Sequence, residues 1–218
     1  MQCRNKEGFS RLYFGEIIMA RRIKEDPTIH RKRISEAAEK LFVSQGIEKT
    51  TVSKIAESAG YSKATIYVYF ENKEDIISYL VLHSMELIKK EIISSTSDSL
   101  SNEDNFINIC NSVLKYQKKY PMYFEFLQDT INVDFSESKY YQSEADAYKT
   151  GEEINTYLIN LFKLKDDAFA KIFTLWASIC GVIQMTDKKT EYIKKQTGLT
   201  EEAFIQKEFK QLYNLIKA

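Results

Sequence analysis

TTVSKIAESAGYSKATIYVYFENKED, residues 50–75, is the stretch around which the rest of the chain is organised. Thr51 can cap a helix in which Val52, Ile55, Ala56 and Ala59 recur at i, i+3, i+4 and i+7, and Gly60 supplies the left-handed residue that ends it. After a turn of Gly60 and Tyr61, Ser62 can cap a second helix, Lys63 to Phe70, with Ile66 and Phe70 one turn apart on the same face. Two short helices joined by a tight Gly-containing turn make a helix-turn-helix.

With about 100° per residue, Ile66 and Phe70 define the inward side of the second helix, and Ala64 and Val68 point straight out. Thr65 and Tyr69 flank this outward face on one side, Lys63 and Tyr67 on the other. Small apolar groups bordered by hydroxyls and an ammonium suit a DNA major groove, where they can meet thymine methyls while the flanking donors reach phosphates. A helical hairpin buried in a larger all-α core is the competing expectation from these residues alone.

The same residues, Thr50-Thr51, Ile55-Ala56, Ala59-Gly60, Ser62, Tyr67 to Phe70 and Lys73-Glu74, carry a wider pattern. The stretch resembles the DNA-binding domain of the TetR (tetracycline-repressor-like) family, over about fifty residues once the preceding helix is included. Tyr61 and Ala64 depart from it, standing where the family usually has an aliphatic residue and a glycine. The resemblance implies that Thr51, Lys63, Tyr67 and Lys73, with Ser62 at the helix start, lie at phosphates, and that Ala64, Thr65, Val68 and Tyr69 approach base edges.

The 218 residues are 44% hydrophobic with seven Gly and two Pro, which favours long helices over a turn-rich β fold. No apolar run approaches the roughly 18 residues of a membrane span; the longest, Ile172 to Met185, is interrupted by Thr174, Ser178 and Gln184. Cys3, Cys110 and Cys180 are odd in number and far apart, which fits a reducing compartment and offers no metal spacing. A cytoplasmic protein without a metal or other cofactor is expected.

Charge is unevenly spread. Ten Lys/Arg stand against six Asp/Glu between residues 20 and 70, and 18 against 23 from residue 71 onward. All six arginines lie at or before Arg33. Arg21 and Arg22 in particular form a basic approach to the first helix, suited to phosphate or minor-groove contacts. Residues 1–24 read either as a flexible basic arm or, up to residue 18, as translated leader ahead of a start at Met19: Gly15-Glu16 can be encoded by a purine-rich stretch like a ribosome-binding site.

Asp26-Pro27 opens a helix with Ile34, Ala37, Ala38, Leu41 and Phe42 on one face, ending at Gly46; His30 is expected on its exposed side. Residues 25–71 thus form a three-helix unit. Asn72 with Asp75 caps a long connecting helix to about Ile93, carrying a solvated or structural His83. Residues 94–104 read as a loop. A helix through Phe106, Ile109, Cys110, Val113 and Leu114 is stopped by Pro121, a short one runs from Met122 to about Thr130, residues 132–138 break the pattern, and a long one from Tyr140 to Phe162 contains Gly151.

Asp166 to Met185 is apolar over more than half its circumference, and the final helix, Glu201 to Ile216, carries a continuous stripe. Such a pair is expected to join its copy in a second subunit as a four-helix bundle through Trp176, Ile179, Ile183, Ile205, Phe209, Leu212, Tyr213 and Ile216. The resemblance implies the same, since the family dimerises through its C-terminal helices.

No catalytic constellation is present: there is no GxSxG, Gly-rich phosphate loop or HExxH, and the two histidines lack plausible partners. Fourteen Tyr and thirteen Phe exceed what a core of this size requires and suit a site for a small apolar or aromatic ligand. Its candidates are Phe106, Cys110, Leu114, Phe124, Leu127, Tyr148, Phe173 and Cys180. The expectation is an all-α, homodimeric regulator: residues 25–71 bind a palindromic DNA operator, and residues 72–218 sense a ligand and dimerise. The same architecture governed by a protein partner, or a helical protein that binds no DNA, are the alternatives.

Overall fold

The structure, a computed structural model, describes residues 25–129 and 142–216. It is all-α: among the described residues there are ten helices and no strand. The expectations placed on Arg21, Arg22, the Met19 start, the break at 132–138 and the first turn of the Tyr140 helix lie outside the described residues.

Helix α1 spans Pro27–Gln45, with the Asp26 carboxylate accepting from the Thr28 N–H at 2.8 Å and Pro27 in the first turn, where its missing N–H costs nothing. Helices α2 (Val52–Ala59) and α3 (Lys63–Tyr69) follow, capped by Thr51 and Ser62. Gly60 sits at φ 73° between them, a left-handed conformation that any Cβ would strain. The two threonines ahead of α2 divide the work. Thr50 is buried, donating to the Gly46 carbonyl at 2.8 Å and accepting from Gln45 Nε2 at 3.0 Å, and it fixes the α1–α2 connection while Thr51 caps. Ile34, Ala38, Phe42, Ile55, Ala56, Ile66 and Phe70 close a core between the three helices.

Helix α4, Lys73–Ser95, is the hub of the molecule. It packs on α1, α5 (Asn102–Lys119), α6 (Pro121–Asp129) and above all α7 (Gln142–Leu161). Its buried Ile76, Leu80, Val81, Met85, Ile88 and Ile92 go round more of the helix than a single stripe would, as contact on several sides requires. Helix α5 starts earlier than the sequence suggests, because Ser101 rather than a later residue caps it, accepting from the Asp104 N–H at 3.0 Å. Gly151 of α7 is a close-approach residue: a Cβ there would lie 3.2 Å from the Met85 methyl. Its low helix propensity is the cost of bringing α7 onto α4.

Helix α8 (Ala168–Lys188) starts two residues later than expected, after Asp167 at φ 53°, and is followed by α9 (Thr190–Thr197) and α10 (Glu201–Ile216). By length and composition α8 qualifies as a bilayer-crossing helix, so the sequence-based exclusion of such a segment does not hold in that form. Its Ile172, Leu175, Ile179 and Ile183 are buried in the protein's own core, with α5 and α10 packed against the helix. Helix α9 went unread in the sequence because Ile193 is its one buried residue, although Lys194, Lys195 and the left-handed Gly198 are good C-terminal signals.

Candidate functional site

Two places combine exposure with chemistry. The first is the outward side of α3. Ile66 and Phe70 are sealed inside, while Val68 is 74% and Tyr67 50% exposed, and Lys63 and Ala64 are open to solvent. The Lys63 ammonium lies 6.0 Å from the Tyr67 ring centre, placing a cation and a phenol on one border. On the other border, the Thr65 hydroxyl is 2.8 Å from Ser62 Oγ and is half-buried. Tyr69 leans back rather than out, stacking on the His30 ring at 4.9 Å. Thr51 is exposed, and the Lys73 ammonium donates to the Ile47 carbonyl at 3.1 Å, tying α4 to the α1–α2 connection.

His30 is therefore not an exposed bystander, contrary to the sequence expectation. Nδ1 shares a 2.7 Å hydrogen bond with the Tyr61 hydroxyl, Nε2 is 3.7 Å from the Glu25 carboxylate, and the ring supports Tyr69. Tyr61, one of the two departures from the family pattern, uses its hydroxyl in this bond. The signal was the pair itself: a histidine early on α1 and a phenol in the turn, which only the packing of α1 across the turn brings together.

Arg31 is a second junction that sequence reasoning missed. Its guanidinium lies over Phe70 at 4.5 Å and Tyr79 at 5.2 Å, 3.6 Å from the buried Asp75 carboxylate and 3.5 Å from Ser143 Oγ on α7. One α1 side chain thus touches the ends of α3, α4 and α7. Asp75 also accepts from the Glu71 N–H at 2.9 Å, closing the α3–α4 corner. Nearby, the buried Tyr123 hydroxyl of α6 is pushed up in pKa by burial and then by the Glu39 carboxylate of α1.

The second place is a half-open cavity of about 960 Å³ between α4, α7 and α8, with Leu127 of α6 at its edge. Leu127, Tyr148, Phe173 and Cys180 line it, as the sequence suggested. Phe106, Cys110 and Phe124 do not: they are buried in the core, and Leu114 packs beside them. Inward periodicity could not separate residues filling the core from those facing a space within it. Phe173 is also less enclosed than expected, 64% exposed on the rim beside Phe169, which is 73% exposed, their ring centres 6.4 Å apart. Trp176 Nε1 donates to Asn155 Oδ1 at 3.0 Å within the cavity wall. The Cys180 thiol is pushed up to about 11 by burial, so it is neutral at physiological pH.

Four of the eight residues expected to contact a second subunit are taken up by the chain's own core. Ile179, Ile183, Ile205 and Phe209 are buried within the chain, Leu212 and Tyr213 pack against the same core, and Trp176 faces the cavity. Of that set Ile216 remains exposed. Besides Phe169 and Phe173 on the cavity rim, the open large apolar groups on these helices are Met185 on α8 and Leu215 and Ile216 on α10.

A helix-turn-helix with a small-featured, solvent-facing second helix, joined by a long hub helix to an α-helical unit holding a cavity, defines a DNA-binding regulator fold. Residues 34–80 match the family described as bacterial regulatory proteins, tetR family, so the chain carries the N-terminal domain of that family. An HTH-type transcriptional regulator of Staphylococcus aureus strain USA300 is 26% identical over 152 residues, covering 70% of this chain and 77% of the relative. The transcriptional regulator FadR of Bacillus subtilis, solved in complex with stearoyl-CoA, shares the fold at a TM-score of 0.57 and 19% identity, over 83% of this chain and 96% of that one. A TetR/AcrR-family regulator of Thermobifida fusca does so at 0.59 and 18%, over 85% and 97%.

Proposed function

We propose that the chain is a homodimeric transcriptional repressor that leaves a palindromic operator when a small apolar or aromatic ligand enters the cavity between α4, α7 and α8. Residues 25–71 are the DNA-binding part and residues 72–218 the sensing and dimerising part. The observation that carries the reading is the α3 face: Val68 and Ala64 project into solvent with no structural task, bordered by Lys63 and Tyr67, while Ile66 and Phe70 hold the helix in place. Thr51, Ser62, Lys63, Tyr67 and Lys73 serve phosphates. Ala64, Thr65 and Val68 meet base edges, and Tyr69 reaches them from its seat on His30. A two-fold pair would set its recognition helices about 34–36 Å apart, one turn of duplex.

Dimerisation runs through the outer faces of α8 and α10, with Met185, Leu215 and Ile216 in place of the residues the core absorbs. The bound stearoyl-CoA of the Bacillus subtilis relative supports a sensing role for the helical part of this fold. A ligand acts by binding the DNA-competent and DNA-incompetent forms with different affinity, and Arg31 is the side chain through which α7 and α4 reach α1 and α3. A protein that acts on chromosomal operators works in the cytoplasm, and no catalytic role is assigned to it.

The test is a footprint of the purified protein on the DNA flanking its own gene. A protected palindrome with half-sites one helical turn apart is the expected result. Absence of protection there, together with no sequence enriched from random duplexes at low salt, would remove the DNA-binding reading and leave the hairpin as core.

A further inference from the structure

If the cavity senses a ligand, as proposed above, its charge character narrows what that ligand is. Glu152 is the one charged side chain among the described lining residues. It is exposed on the α7 wall, and no basic group among the described residues forms an ion pair with it; the neighbouring Glu153 takes Lys89 at 2.6 Å. The remaining polar groups, Asn155, Thr156 and Gln184, are neutral, and the Cys180 thiol is held neutral by burial. Tyr148, Phe169, Phe173 and Trp176 line the same cavity, with Tyr148 one helical turn before Glu152 on α7. Aromatic faces carry negative potential and attract cations, and a carboxylate nearby adds to that attraction.

From this arrangement we infer that the ligand is a lipophilic cation: an aromatic or alkyl body with a positively charged nitrogen or similar centre, seated among the rings with its charge toward Glu152. The volume of about 960 Å³ lies at the upper end of the range for drug-sized molecules, so a bulky multi-ring body fits. An anionic head such as a phosphate or carboxylate meets Glu152 and no balancing cation on the described walls. The exposed pair Phe169 and Phe173, ring centres 6.4 Å apart, lies on the open side of this cavity and offers ring surface to a cationic guest.

The chain supplies its own reporter, since its one tryptophan, Trp176, lines the cavity. Tetraphenylphosphonium and tetraphenylborate have nearly the same size and shape and opposite charge. Titrated against the full-length protein by Trp176 fluorescence and by calorimetry, the phosphonium should bind saturably and at least tenfold more tightly than the borate. Glu152→Gln should weaken the phosphonium three- to tenfold, the modest size reflecting an exposed carboxylate, and should narrow the gap between the two ions. Phe173→Ala, at an exposed position that the fold does not need, should weaken it similarly, with both variants melting as the parent does. Borate or stearoyl-CoA binding as tightly as the phosphonium, or a Glu152→Gln protein that binds it unchanged, would overturn the assignment. Operator binding followed separately keeps the two claims apart. Phosphonium that binds as described without releasing DNA leaves the ligand class standing and removes the sensing role; DNA released by an acyl-CoA and not by the phosphonium does the reverse.

Discussion

Helices α3 and α8 both expose apolar side chains, and they do so in opposite ways. On α3 the open groups are small, Ala64 and Val68, and two large residues, Ile66 and Phe70, anchor the other side. On α8 the open groups are large, Phe169, Phe173 and Met185, and four aliphatic residues anchor the helix. A small, rigid, apolar surface is of use only against a partner of fixed shape. Large rings on an open rim can turn, and they accommodate guests of more than one outline. On the proposed reading the molecule separates a precise contact from an adaptable one and links them through α4.

The contrast makes anchors and open faces behave differently on substitution. The largest effect on stability is expected at an anchor: Phe209→Ala removes a fully buried ring between α10 and the core and should cost about 3–5 kcal/mol, read as a lower midpoint in thermal or denaturant unfolding. A cost under about 1 kcal/mol would mean that α10 is less firmly seated than its burial implies. Next comes the α3 face. Val68→Glu should leave unfolding within about 0.5 kcal/mol of the parent. The same change should lower operator affinity by roughly 100-fold, about 2.8 kcal/mol in an anisotropy titration, because a carboxylate and extra bulk meet the phosphates. Parallel losses of stability and binding would show that this face is not free for DNA.

Smaller effects test the connections. Thr51→Ala removes the cap on α2 and should cost about 1 kcal/mol of stability in thermal unfolding, while Thr50, buried, holds its own bonds. The smallest concerns Lys89 and Glu153, which join α4 and α7 on the outside. The hydrogen bond from Lys89, and then its charge, hold the Glu153 carboxyl below the usual range. What the pair adds to stability is therefore present above the unfolded carboxylate value of about 4.3 and is lost as pH falls through the folded one. In Lys89→Met the Glu153 side-chain resonance should titrate in the ordinary range, with a flatter acid dependence of the melting midpoint.

The same contrast governs how much of the molecule could be read in advance. In the first three helices the inward stripes were assigned correctly, because short helices with named caps and a single stripe leave one way to pack: Ile34, Ile55, Ile66 and Phe70 are inside and Val68 is outside, while His30 and Tyr69 turned out to face each other. The helix order and the stop at Pro121 were legible for the same reason. In the C-terminal helices the elements other than α9 were legible and their partners were not. Ile179 and Phe209 look alike whether they face a second subunit or their own core, and periodicity assigns a residue to a face without saying what that face meets. Trp176, Phe173 and Cys180 fell on the cavity side of α8 while Phe106 and Cys110 of α5 fell in solid core, a distinction set by the spacing between helices. Contacts such as His30 with Tyr61 and Arg31 with Ser143 join positions far apart in sequence, where no local pattern operates.

Gly151 gives the hub helix a fulcrum. Where the missing side chain lets α7 press on Met85, the two helices come closest about 12 residues from the start of α4, a lever arm of roughly 18 Å. Met85 and Ile88 also line the cavity, so the ligand proposed above would meet α4 at and just beyond that point. A tilt of about 5° around it carries the Lys73 end through roughly 1.5 Å, given the rise of the helix. Lys73 is bonded to Ile47, and Asp75 to the α3–α4 corner, so on the proposed reading such a movement would reach α3 at the far end. Met85, unbranched and able to reshape, is the bearing on which that lever turns.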